Sequence, residues 1–164
     1  TSIILEGGSC EDSLNIINSQ GSLSLIDIKH SNSDGVDLDF SKLIIKKLIV
    51  KEAINDCLDV SGGDYYIKNA TLINCGDKGI SIGEKSTFKS DKIYLNRAFI
   101  GVSSKDLSTA SVLELSSDNV NTCIEVMNKK QEFGGANLHI GKLNCSGLIF
   151  VDDHSKLLVG NNEF

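Results

Sequence analysis

The chain of 164 residues contains no proline. A proline inside a central strand removes a ladder hydrogen bond, so its absence suits a backbone whose N–H groups are nearly all committed to β-ladders. Tryptophan is also missing and tyrosine occurs three times, so the aromatic platforms of a dedicated sugar-stacking groove are not expected. Sixteen Lys and Arg stand against 22 Asp and Glu, for a net charge of −6, and no basic stripe interleaved with aromatics is present. The sequence thus speaks against a nucleic-acid or anionic-membrane partner, since a cationic excess is what draws a protein to phosphate. Apolar runs such as Leu43-Ile44-Ile45 are far too short to span a bilayer, and no membrane insertion is expected. Thr1-Ser2-Ile3-Ile4-Leu5 lacks the basic flank of a signal peptide, and the chain opens in an apolar strand without an initiator Met. A piece of a longer extracellular or surface protein of bacterial or phage type is expected. Its end rungs, around Ile3–Leu5 and Leu157–Val159, would be covered by flanking sequence or by another subunit.

The five cysteines, Cys10, Cys57, Cys75, Cys123 and Cys145, are an odd set without CxxC or Cys/His ligand spacing. Neither zinc nor a complete disulfide framework is indicated. Cys57 and Cys123 share a repeat column with Ser13, Gly35, Gly79, Gly101 and Gly147, where a small side chain is required, so buried structural thiols are expected. His30, His139 and His154 fall in unrelated phases of the repeat and read as isolated surface or turn residues.

What the sequence does have is a period. Leu14, Val36, Leu58, Ile80, Val102 and Ile124 follow one another at intervals of 22 residues, with Leu148 after 24. Around each lies a strand of the form small-aliphatic-x-aliphatic, such as Gly35-Val36-Asp37-Leu38 and Cys57-Leu58-Asp59-Val60, whose period-two alternation buries one face. Second apolar clusters such as Ile45-Leu48-Val50 and Ile67-Ala70-Leu72 follow, separated by Gly, Asn, Asp, Ser and Lys at the corners. Helical repeat units are longer than this, and the fixed consensus of leucine-rich repeats is missing. The expected fold is all-β: one parallel β-helix domain of about seven rungs over residues 1–164. The preference of parallel crossovers makes it right-handed.

Stacked rungs turn sequence columns into ladders. Asp12, Asp34 and Asp56 form one acidic column at the corner before the strand; Asp37 and Asp59, joined by Asp39, lie on the exposed face. Carboxylates about 4.8 Å apart repel by roughly 0.9 kcal/mol even in water, so something must offset the cost. For Asp12, Asp34 and Asp56 the expected compensation is hydrogen bonding to turn N–H groups. For Asp37, Asp39 and Asp59 the choices are a solvated face or a bound calcium ion, and no other cofactor is implied. A second candidate is Asn128-Lys129-Lys130-Gln131-Glu132-Phe133-Gly134-Gly135, where the sixth rung carries two extra residues. It is expected either as an ordinary lengthened turn with Phe133 folded over the core or as a projecting binding loop.

Asn32-Ser33-Asp34-Gly35-Val36-Asp37, Asn55-Asp56-Cys57-Leu58-Asp59-Val60-Ser61-Gly62 and Gly76-Asp77-Lys78-Gly79-Ile80-Ser81-Ile82-Gly83 resemble, in order and on consecutive rungs, the active-site rungs of polygalacturonase-like glycoside hydrolases of the pectin-lyase-like superfamily. The resemblance covers about 50 residues. It implies a right-handed β-helix in which Asp34 and Asp56 match the two carboxylates that activate water. The chain departs from that pattern at Asn55, which replaces the family's proton-donating Asp, and at Lys78, which replaces its His. Asn96-Arg97-Ala98 lacks the Lys of the family's Arg-x-Lys pair.

The resulting expectation is a non-catalytic scaffold or carbohydrate-recognition module, with Asp37, Asp39, Asp59, Lys129, Lys130, Glu132 and Phe133 as binding residues and polysaccharide as partner. The alternative is a polysaccharide hydrolase or lyase using Asp34, Asp56, Asp59 and Lys78.

Overall fold

A computed structural model describes residues 1–164. It is all-β, a parallel β-helix of the right-handed type with about seven turns. Each full rung has three sides. The first side stacks β2 (Asp12–Ile17), β5 (Asp34–Asp39), β7 (Leu58–Ser61), β9 (Lys78–Gly83), the ends of β10 (Thr87–Lys105) and β11 (Thr109–Met127), and β13 (Leu148–Val151). The second and third sides run continuously through β6 (Lys42–Ala53), β8 (Asp64–Cys75) and the first two thirds of β10 and β11.

The 22-residue period is the register of the ladders. Leu14 lies opposite Val36, Val36 opposite Leu58, Leu58 opposite Ile80, Ile80 opposite Val102, and Val102 opposite Ile124. From Val36 to Ile124 these side chains are fully buried in one continuous core with Ile45, Ile67, Phe88, Leu72 and Leu95 from the other two sides. Gly79 shows why the preceding column must be small: a Cβ there would stand 2.0 Å from Leu95 Cδ1 and 2.7 Å from Gly101 O.

Two corners are made by left-handed residues stacked in register. Asn18, Phe40, Gly62, Glu84 and Asp106 have φ between 46° and 58°. His30, Glu52, Asn74, Arg97 and Asn119 have φ between 57° and 67°. Asn and Gly tolerate this conformation, whereas other residues lose roughly 1–2 kcal/mol to it. Arg97 is exposed and makes no ion pair. Arg97→Gly is therefore expected to raise stability by about 0.5–1 kcal/mol, the relieved strain less the greater chain entropy of glycine. A denaturant midpoint at or below the parent's would contradict this.

Two expectations need correction. The seventh rung is out of the simple register: Ile149, not Leu148, lies opposite Ile124, after a shift between Thr122 and Ile124, and Leu148 is 72% exposed. The cause is upstream. Thr109 pairs with Asn137, a step of 28 residues where the preceding rungs take 22 or 23, and the third side that follows is cut short after β12 (Asn137–Asn144). The lengthening is thus a six-residue insertion between the first and second sides, half offset by a shorter third side, so that Ile149 follows Ile124 after 25 residues. At this end β15 (Asn162–Glu163) folds back antiparallel on β14 (Lys156–Val159), so the chain itself pairs the last edge of the second side.

The cysteines are the second correction. Cys57 is bonded to Cys75 and Cys123 to Cys145, and only Cys10 is a free thiol, exposed at the surface. The column reading was right that Cys57 and Cys123 are small and buried. It missed the partners because they stand at the other end of the rung, where no common period marks them. Each bond ties the start of a first-side strand to the end of the same rung's third side. In the first rung Ser13 and Ser31, equivalent to Cys57 and Cys75, close the same corner with a 2.8 Å hydrogen bond.

Candidate functional site

On the first side the outward residues form three columns. Nearest the corner run Asp12, Asp34, Asp56 and Lys78; next Asn15, Asp37, Asp59, Ser81, Ser103 and Glu125; then Ile17, Asp39, Ser61, Gly83 and Lys105. The register of parallel strands alone brings the expected acidic residues onto one face.

Two of the corner carboxylates are committed to the backbone. Asp34 Oδ1 accepts from Asp56 N at 2.8 Å and Asn55 Nδ2 at 2.7 Å, and Asp56 Oδ1 accepts from Lys78 N at 2.9 Å. Each side chain thus caps the turn of the next rung, as expected. Asp12 is different: its side chain accepts only from Asn15 Nδ2, at 3.4 Å. Asn55, at the proton donor's place in the resembled hydrolases, holds Asp34.

Lys78 Nζ pairs with Asp77 and reaches Asp56 Oδ1 at 3.5 Å. Burial opposes its charge, but the hydrogen bond to Asp77 and the negative charges of Asp56 and Asp77 outweigh that and hold its pKa above the usual value. A lysine so held is a poor general base. Burial pushes Asp56 up to about 6, with Lys78 offsetting part of the shift.

The centre of the face contains a residue that the sequence reading missed. Lys105 is 8% exposed although it points away from the core, and its Nζ donates to Ser81 Oγ at 2.8 Å. Burial lowers its pKa, with the negative charge of Asp59 working against the shift and the positive charges of Lys129 and Lys78 adding to it. Asp59 is raised by burial, and Lys105 and a hydrogen bond from Ser81 oppose the rise. Asp59, Ser81 and Lys105 therefore form one compensated relay across three rungs. The usable signal in the sequence was the column of Lys105, which is that of Asp39.

Asp37 has no cation of its own. Burial first, then the charges of Asp39, Asp59, Asp12 and Asp34, push it up to about 7. Burial and Asp12 also raise Asp39. The only side-chain donor to Asp37 is Asn15 Nδ2 at 3.2 Å. The unfolded chain ionises this Asp near 3.8 while the folded one keeps its proton until about 7. Between these values the native state binds more protons, so its stability falls as pH rises. Asp37→Asn should flatten the decline in melting temperature from pH 4 to 7 and stabilise the protein at pH 7 by on the order of 1 kcal/mol, after allowance for solvent screening. Parallel parent and variant curves would rule this out.

The inserted loop reaches the same face. Asp106 Oδ1 accepts from Lys129 N and Lys130 N, both at 2.8 Å, Lys130 Nζ pairs with Glu84, and Lys85 Nζ lies 5.7 Å from the centre of the Phe133 ring. Lys129 is thereby close enough to Lys105 to depress its pKa. Phe133 is half-buried, while Glu132 is exposed and makes no ion pair. No three His, Cys, Asp or Glu side chains are grouped so as to hold a metal ion, so Asp37, Asp39 and Asp59 do not assemble into a carboxylate cage. Chemically the face offers a rigid, alternating array of donors and acceptors, with a carboxyl at one end that changes charge near neutrality. No family model, curated protein or solved structure matches this chain.

Proposed function

We propose that this β-helix is a carbohydrate-recognition module of an extracellular or surface polysaccharide-handling protein, with the charged first side as its binding face. The observation that carries the reading is the set of accessible charges Asp37, Asp59, Lys78 and Lys129, held around the buried Ser81–Lys105 hydrogen bond that compensates Asp59. Charges that compensate one another on a rigid sheet are held ready to donate to and accept from sugar hydroxyls with little loss of side-chain entropy on binding. The two disulfides agree with an oxidising, extracellular compartment.

A second reading, a polysaccharide hydrolase or lyase, draws on the raised pKa values of Asp37 and Asp56. A carboxyl protonated near neutrality beside an ionised one is what acid–base cleavage of a glycosidic bond requires. Against it stand the capping roles of Asp34 and Asp56, and Lys105 is a better candidate base than Lys78.

The test is incubation with neutral and acidic polysaccharides, with and without calcium, followed by assay of binding, new reducing ends and unsaturated uronate. Binding without turnover, weakened by Lys105→Met, is the expected result. Turnover abolished by Asp56→Asn would replace the module by the enzyme.

A further inference from the structure

Along the corner between the first and second sides run two polar cavities, of about 450 and 350 Å³, that share Phe40, Gly62, Gly63 and Asp64. One extends toward Asn18 and Gln20, the other toward Glu84 and Lys85. Phe40 stands between them, 63% exposed, in the left-handed conformation at φ 46°. A bulky aromatic is an outlier there, and the corner column offers Asn18 and Gly62 as the unstrained choices one rung away on either side. Nor does burial explain the ring, since most of it faces solvent. The next rung makes room for it: a Cβ on Gly62 would lie 2.6 Å from two atoms of the Phe40 ring.

The charges around this corner cancel, with Lys42 and Lys85 against Asp64 and Glu84. An anionic chain therefore gains nothing here, whereas side-chain amides, hydroxyls and carboxylates around one exposed ring suit a neutral glycan. The corner column from Asn18 to Glu84 spans three rung steps, about 14 Å of groove. Resting on the polysaccharide reading above, we propose that this corner is a binding subsite for a neutral polysaccharide strand. Phe40 stacks on the apolar face of one sugar ring, and Asn18, Gln20 and Asp64 hydrogen-bond its hydroxyls. The loop holding Phe133 closes the far end, through the Lys85 and Glu84 contacts.

The test is calorimetric titration of the intact chain with β-1,4-linked hexaoses of glucose, xylose and mannose, and with α-1,4-hexagalacturonate as the acidic probe. At least one neutral hexaose is expected to bind. Phe40→Ala should weaken it at least about tenfold, with circular dichroism like the parent's, and Phe40→Tyr should preserve it. The subsite is overturned if no neutral hexaose binds, or if folded Phe40→Ala binds as the parent does. Hexagalacturonate binding that is lost in Lys105→Met and kept in Phe40→Ala, with no neutral hexaose bound, would overturn the subsite while leaving the charged face as the recognition site. Neutral binding that is lost in Phe40→Ala and unchanged in Lys105→Met would support the subsite and remove the charged face from recognition.

Discussion

Ile80→Asp is expected to leave no folded protein. Ile80 is fully buried in the fourth of about seven rungs, opposite Leu58 on one side and Val102 on the other, and no polar side chain lies in its column from Leu14 to Ile124. The substitution forfeits about 1.5–3 kcal/mol of apolar burial. It also buries a carboxyl without a partner, which costs a further 2–7 kcal/mol even when the group is neutral. The sum rivals the entire stability of an ordinary domain, about 5–15 kcal/mol. Position makes it worse, because each rung is stabilised chiefly by its two neighbours, so a failed central rung uncouples the rungs on either side. Far-UV circular dichroism and soluble yield of Ile80→Asp beside Ile80→Val decide the matter. The valine variant should lose only about 0.5–1.5 kcal/mol. An aspartate variant that melts like the parent would show that this column is not the core.

The period-two alternation and the 22-residue repeat were enough to read this column, because register in stacked rungs is sequence spacing made spatial. Asp34 and Asp56 were legible as caps for the same reason. The relay on the charged face was less so. Asp59 stood out as an acidic residue in a column, but Ser81 and Lys105 reach it only because neighbouring columns converge across three rungs, and side-chain reach leaves no periodic mark. Phe40 was hidden in another way: nothing in its immediate sequence says that its backbone is left-handed, and only the stacked column of Asn18, Gly62, Glu84 and Asp106 shows it. The sixth rung resisted reading because a shortened third side hides half of the lengthened turn in the residue count.

Removal of both disulfides should cost about as much as the charged core. Closing loops of about 18 and 22 residues restricts the unfolded chain by roughly 3 kcal/mol each in the loop-entropy description, about 6 kcal/mol together. The loss falls where the fold has little else to offer. At the corner between the third side and the next first side, Gly35 and Gly79 contribute no side chain, and the first rung has only the Ser13–Ser31 hydrogen bond. Cys57 and Cys75 are 0% and 3% exposed, whereas Cys145 is only partly buried. A mild thiol reductant should therefore open Cys123–Cys145 first, loosening the last rung around Ile149 and Phe150, and reach Cys57–Cys75 only as the centre of the helix unfolds. Thiol titration of the native protein should return one reactive group, Cys10, rising to three and then five as reduction proceeds. Denaturant midpoints should fall in the same two steps, the second the larger in its effect on the whole stack. Five titratable thiols before any reductant, or midpoints indifferent to reduction, would mean that these rungs are held by packing alone.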